Sequence, residues 1–243
     1  MEAFYLWWRW LYDTTGINLT IFYDAFDRTR FVAGFFTTLQ LSASCIFLSV
    51  VIGVVGAWLQ GSRLVITRHL LYWYIQFFRN TPPLVQLYFF YFGVGALLKT
   101  PGGEPMVSNV AWATLGLAMY AGAFNIEIFR SGIESVPRAT LEAAQSFGFS
   151  RLQAYRHIVL PLAFRVCLPA LNNNLVNLVK TTSIAYAIAV PEMLYVASQI
   201  WSDSNNVKEM MNVLLLCYVA LVGAFVYVMN RWERAMKMPG FGA

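Results

Sequence analysis

Charged side chains are scarce in this sequence. They make up 12% of its 243 residues, against roughly 25% in soluble domains, and that shortage excludes an ordinary water-soluble globule. Histidine is nearly absent, His69 and His157 being the only two. No His, Cys, Asp or Glu set falls at metal-ligand spacing, so no metal site is expected. The three cysteines, Cys45, Cys167 and Cys217, each lie inside an apolar run. Their odd number and wide separation argue against a disulfide framework. The four lysines follow Leu98, Val179, Val207 and Met236, so no Gly-Lys pair is available to cradle phosphates and this chain is not expected to hydrolyse ATP. Neither a catalytic residue nor a nucleophile triad can be nominated.

What the sequence does have is apolar and aromatic: 58% hydrophobic residues, with 19 Phe, 13 Tyr and 8 Trp. A spanning helix needs ~20 mostly apolar residues, and aromatic rings anchor such helices at both membrane interfaces. Five apolar segments stand out, at about 31–59, 70–98 (interrupted at RNTPP), 110–129, 166–190 and 207–231. The expectation is an all-α integral membrane protein with about five transmembrane helices, forming one domain over 1–243. Residues 1–26 carry Arg9, Asp13 and Asp24 and are too polar to span. The opening EAFYLWWRWLY lacks the basic start, apolar core and small-residue cleavage site of a signal peptide. Residues 1–30 are therefore expected to lie flat at the outer interface, with their aromatic rings inward.

The net charge of +5 is spread over short loops rather than gathered in a stripe, which points to membrane topology and not to nucleic acid. Ten basic residues (Arg63, Arg68, Arg130, Arg138, Arg151, Arg156, Arg165, Arg231, Arg234 and Lys237) fall on one side of the five segments. Five (Arg9, Arg28, Arg30, Lys99 and Lys208) fall on the other. The richer side is expected to be cytoplasmic, which puts the 132–165 loop and the C-terminus inside and the N-terminus outside.

That loop is the most informative stretch. After Pro137, which can start a helix but not sit inside one, ATLEAAQSF is a run of good helix formers. A short helix is expected from about Arg138 to Phe147, with Gly148 ending the turn or letting a partner backbone approach. It would present Leu141, Ala144 and Phe147 or Phe149 to a partner groove, with Glu142 and Arg151 at the rim. A polar island in a chain that otherwise belongs in lipid is most simply explained by a protein partner at the membrane surface.

Several polar groups fall inside apolar segments. Arg79 lies ~14 Å along its helix from Leu70, near mid-bilayer, and is followed by Asn80, Thr81, Pro82 and Pro83. Two prolines break the helix, and a break at that depth is tolerated against protein or a water-filled cavity. Arg79, Asn80, Thr81 and Gln86 thus become candidates for a substrate path, with a structural kink as the competing reading. Lys180, Thr181, Thr182 and Ser183 either touch a substrate or a gate or act as glue between helices. The nearby Asn172, Asn173, Asn174 and Asn177 point to packing against a helix or cavity. Glu127 and Arg130, three apart on one face, are either a salt bridge at the helix end or a counter-charge for a substrate ammonium. Glu127 is the only acid read as lying within a span.

Read with their spacing, Glu142-Ala143-Ala144, three residues, Gly148, nine residues, then Ile158, Leu160 and Pro161 resemble the EAA loop of the membrane-spanning subunits of bacterial ABC importers. FFRNTPPLVQL, YAGAFNIEIFRSGIESVP, NLVKTTSIAYAIAVPEM and TTLQLS resemble segments of the polar-amino-acid importer permeases, over about two-thirds of the chain. The resemblance implies a type I importer fold in the bacterial inner membrane. Two permeases, identical or sister chains, would form the path; an ATPase dimer holding ATP and magnesium would dock below; and an extracytoplasmic binding protein would deliver an amino acid. Leu141, Glu142, Ala143, Ala144, Phe147, Gly148 and Arg151 would carry the coupling. Asn80 and Pro83 stand where relatives have glycine and an aliphatic residue, and Thr stands after Lys180 where many have Asp. The substrate preference of any one relative therefore does not transfer. The MKMPG ending resembles that of some acidic-amino-acid permeases, a pointer to glutamate or aspartate.

Overall fold

The computed structural model describes residues 2–236, so the ending from Lys237 onward lies outside the described residues. Among the described residues twelve α-helices follow one another: α1 Glu2–Thr15, α2 Thr20–Tyr23, α3 Ala25–Gln60, α4 Val65–Asn80, α5 Pro83–Tyr88, α6 Gly95–Leu97, α7 Asn109–Glu134, α8 Arg138–Ser146, α9 Arg151–Ala154, α10 Leu160–Thr181, α11 Met193–Ser204 and α12 Val207–Met236. Phe89–Val94 and Tyr155–Val159 are π-helical, and Thr182–Ile188 is 3₁₀. No strand occurs among the described residues, only one isolated bridge between Lys99 and Pro105. Three helical stretches are long and apolar enough to cross a membrane: Ala25–Gln60, Arg151–Ile188 and Val207–Met236. α7 and the broken α4–α6 stretch coincide with the remaining two apolar segments. The all-α membrane fold expected from the sequence is the one observed.

Local chemistry explains the main departures from the expected boundaries. α3 begins six residues before its apolar run because the Asp24 carboxylate accepts from the amides of Phe26 (2.7 Å) and Asp27 (3.1 Å), capping its first turn. The fourth apolar segment does not continue as α-helix to residue 190. It tightens to 3₁₀ at Thr182 and stops where Ala189 turns left-handed (φ 55°). Beyond it lies α11, an element absent from the sequence reading: its 12 residues are too few to span.

The chain divides into two compact units. The first comprises Met1–Ser44, Leu87–Thr114 and Lys180–Gly223. Its core gathers Ile21, Phe31, Met193, Val196, Ala197, Ile200, Met210 and Leu214. In α1, Trp8 stacks on Phe22 at 4.5 Å and Phe4 meets the same ring edge-on, whereas Leu6, Trp7 and Trp10 are exposed. The aromatic residues of this segment therefore face two ways, not all inward, because only one stripe of the helix can pack on α2.

The second unit comprises Cys45–Gln86, Leu115–Val179 and Ala224–Ala243. Here α3 and α7 approach closely: a side chain at Gly53 would overlap Asn125, and one at Gly56 would overlap Ile126. Small residues at such crossings let backbones meet where lipid offers no hydrophobic drive. Asn125, fully buried, donates to Ser49 Oγ (3.3 Å) and accepts from Asn174 Nδ2 (2.8 Å). Asn172 donates to Glu233 Oε2 at 2.8 Å, tying α10 to α12. Two of the four asparagines thus act as bridges between helices, while Asn173 and Asn177 are exposed.

Candidate functional site

The motif loop folds as its residue types dictate. Pro137, with φ −59°, precedes α8 and presets its first turn. At the other end, Phe149 N–H donates to Ala144 C=O (3.2 Å) and Gly148 N–H to Gln145 C=O (2.9 Å), with Gly148 at φ 85°. This is a Schellman turn, which needs a left-handed residue one position past the cap. A Cβ at Gly148 would meet nothing within 4 Å, so backbone hand, not space, calls for glycine there. Ser150 then caps α9 in a reciprocal box with Gln153.

The turn decides which motif residues face outward. Ala144 is 3% exposed; it lines the wall of the depression formed with Phe149 and Ile158 and so offers little surface of its own. The helix folds back on its own loop, and the small Ala144 side chain fills that contact. Leu141 is half-buried, while Glu142, Ala143 and Arg151 are exposed. Phe147 is 85% exposed and Leu152 76%. Phe147 and Phe149 border an open apolar depression of about 490 Å³ that also includes Ala143 and Ile158. Apolar exposure of this kind on an otherwise polar loop makes it a candidate binding surface.

A second cluster lies deeper in the same unit. Arg79, in the last turn of α4, reaches Glu127 Oε2 at 3.5 Å and stacks over Phe124 at 5.3 Å from its ring centre. Glu127 also faces Arg130 at 3.8 Å and accepts from Gln60 Nε2 at 3.4 Å. Arg130 meets Glu134 at 3.7 Å. The two alternatives for Arg79 and for Glu127 thus converge on one chain of ion pairs. None is tight, and Arg79 and Glu127 remain half-exposed, so both can be reached by a polar ligand. Asn80 and Thr81 turn back onto α4: Asn80 Nδ2 donates to Gln76 (2.8 Å) and Thr81 Oγ1 to the Phe77 carbonyl (2.6 Å). Gln86, 2% exposed, donates its amide to the Phe78 carbonyl (3.0 Å) and to Thr81 O (2.9 Å) and Oγ1 (2.6 Å). It seals the helix end that Pro82 and Pro83 leave open, which commits its Nε2, while its Oε1 is buried without a hydrogen-bond partner among the described residues.

Lys180, Thr181, Thr182 and Ser183 belong to the first unit. Lys180 is exposed, with no carboxylate paired to it among the described residues; Thr182 is fully buried; Ser183 Oγ donates to the Lys180 carbonyl at 2.9 Å. The following turn is held by Asn109 Nδ2, which donates to the Ala189 carbonyl at 2.6 Å. No group of three or more His, Cys, Asp or Glu that could hold a metal occurs among the described residues.

Residues 49–237 match the profile of the family described as "Binding-protein-dependent transport system inner membrane component". The chain belongs to this family. It is a membrane permease subunit and not the ATPase of such a system. Among curated relatives, the probable amino-acid permease protein YxeN of Bacillus subtilis (strain 168) is 33% identical over 204 residues, covering 83% of this chain and 89% of the relative. The probable glutamine ABC transporter permease protein GlnM of the same organism is 31% identical over 221 residues, covering 91% and 99%. A solved structure described as an amino acid ABC transporter with histidines superposes with a TM-score of 0.77 at 26% identity, covering 86% of this chain and 94% of that one.

One permease residue escaped the sequence reading. Glu192, fully buried, accepts from the amides of Leu194 (2.9 Å) and Tyr195 (2.8 Å) and from Tyr218 Oη (3.0 Å). Thr38 Oγ1 accepts from the Met193 amide beside it. Glu192 lies just past the fourth apolar segment, whereas Glu209, in the first turn of α12, falls inside the 207–231 segment, so Glu127 is not the only acid in those segments. Glu is not among the usual N-cap residues, so the capping role of Glu192 before the apolar MLYVA run emerged only from the structure.

Proposed function

We propose that this permease forms the translocation path for a polar amino acid in an ATP-driven importer, and that a separate ATPase docks on α8 and the Gly148 turn. The carrying observation is that turn: the motif spacing ends in a geometry that leaves Phe147 almost fully exposed beside an apolar depression. The names of YxeN and GlnM, and of the structural neighbour, support an amino acid as cargo. The pointer to glutamate or aspartate rests on the ending beyond Met236, outside the described residues. ATP and magnesium belong to the partner ATPase, a second permease completes the path, and an extracytoplasmic binding protein supplies the substrate.

Within one permease domain over 1–243, residues 132–165 form the cytoplasmic coupling loop and residues 1–30 lie outside, the orientation favoured by the ten-to-five excess of basic residues on the loop side. Arg79, Glu127 and Arg130 contribute polar groups to the path, as do Lys180 and Ser183. Asn80, Thr81, Gln86, Thr181 and Thr182 shape the backbone around them. The test is purification of the tagged chain from its native membrane in mild detergent, with identification of what accompanies it. A P-loop ATPase, with or without a sister permease, is the expected companion. A chain recovered alone that moves substrate without nucleotide would overturn the proposal.

A further inference from the structure

The second unit carries an apolar groove whose walls include no residue of α8 or the Gly148 turn and neither Arg79 nor Glu127. It is a cavity of about 680 Å³, within the ~300–1,000 Å³ usual for small-molecule sites. Its walls come from α3, α7, α10 and α12, with Val50, Val54, Phe129, Leu171 and Phe225 among them. Tyr155, Trp58 and Trp232 stand on its border, Trp58 being 76% exposed. A second cavity of about 440 Å³ shares Ala57, Ile133 and Tyr155 with the first, so the two adjoin. The second is polar: Arg68, Arg130, Gln60, Tyr72 and Glu134 line it.

An apolar channel that opens into a guanidinium-bearing mouth is complementary to an amphiphile with an anionic head. Glu134 is engaged by Arg130 at 3.7 Å, while Arg68 has no carboxylate paired to it among the described residues, so the mouth keeps an unbalanced positive charge. Trp58, Trp232 and Tyr155, all on the wall of the apolar cavity, are the residue types that gather at headgroup depth, and Tyr155 also lines the polar cavity. Basic pockets between membrane helices hold anionic lipid heads by this combination.

We propose that this groove binds an anionic phospholipid, with an acyl chain along Val50, Val54 and Phe225 and the phosphate against Arg68 and Arg130. The inference needs only that the chain resides in a membrane, and it stands apart from the coupling role of α8. The acyl chain replaces water against the apolar walls, and the head adds charge-assisted hydrogen bonds at the mouth.

The experiment is mass spectrometry of the full chain, with whatever subunits accompany it, released from detergent after exposure to palmitoyl-oleoyl phosphatidylglycerol or to phosphatidylcholine with the same chains. Selective retention of phosphatidylglycerol is expected. Arg68→Gln should weaken it about fivefold, since a basic residue near the surface holds anionic lipid by about 1 kcal/mol. Val54→Trp, a change at an exposed wall residue that narrows the groove, should reduce retention of phosphatidylglycerol without lowering yield or thermal stability. Equal retention of both lipids, or selectivity unaltered in Arg68→Gln, overturns the proposal. So does a groove that holds no lipid because a second copy of the chain covers it, seen as a dimer that Val54→Trp dissociates. Retention is read by mass, so the result does not depend on whether the loop couples to an ATPase.

Discussion

Phe147→Ala separates docking from folding more cleanly than any other change in the loop. Phe147 is 85% exposed in the isolated chain, so its truncation removes little internal packing. An exposed substitution of this kind shifts stability by about 0.5 kcal/mol or less. If the ATPase buries that ring, its removal forfeits roughly 1.5–3 kcal/mol of apolar transfer, or about a 10- to 150-fold loss of affinity at 1.36 kcal/mol per decade. The assay is binding of the purified ATPase subunit to the permease in lipid nanodiscs, read beside thermal unfolding of the permease alone. Weakened binding with unchanged unfolding is the expected pair. Wild-type affinity would refute the reasoning, and so would a permease that unfolds early, because Phe147 would then be structural.

Other substitutions probe the remaining elements. Gly148→Val places a β-branched residue at φ 85°, costing at least about 1–2 kcal/mol, and should uncouple ATP hydrolysis from uptake. Gly148→Asn, which tolerates the left-handed region, should retain most coupling. Gln86→Leu removes the donors to Phe78 and Thr81 and is expected to destabilise the chain by about 1–3 kcal/mol, seen as a lower melting temperature. Glu192→Ala loses the cap on Leu194 and Tyr195 and should lower stability by about 0.5–2 kcal/mol, with Glu192→Gln milder in the same melt. Arg79→Ala should alter uptake or substrate-stimulated ATPase activity in reconstituted vesicles, and an unchanged value would make Arg79 purely structural.

The α8 helix was legible from the sequence to within a residue. Proline, a run of helix formers and a glycine are local signals, and local hydrogen bonds decide where such a helix starts and stops. The break after Asn80 was legible for the same reason. What resisted reading was tertiary. Arg79 and Glu127 lie on different helices, and nothing in either segment alone announces their pairing. Ala144 faces inward because the Schellman turn folds Phe149 back onto it, which a helical wheel of α8 does not contain. α11 escaped notice because a search for spans discards a 12-residue helix, and Glu192 escaped with it.

Glu192 has a consequence for how the protein is made. A carboxylate buried in a fold is costly unless it is hydrogen-bonded, and this one finds most of its partners in the order of its own sequence. The amides of Leu194 and Tyr195 emerge within the next three residues and can grip the acid as soon as the first turn of α11 coils. The Tyr218 hydroxyl arrives only when α12 follows. Two of its three hydrogen bonds thus need no neighbouring helix, and the acid can be held by its own backbone before α12 is in place.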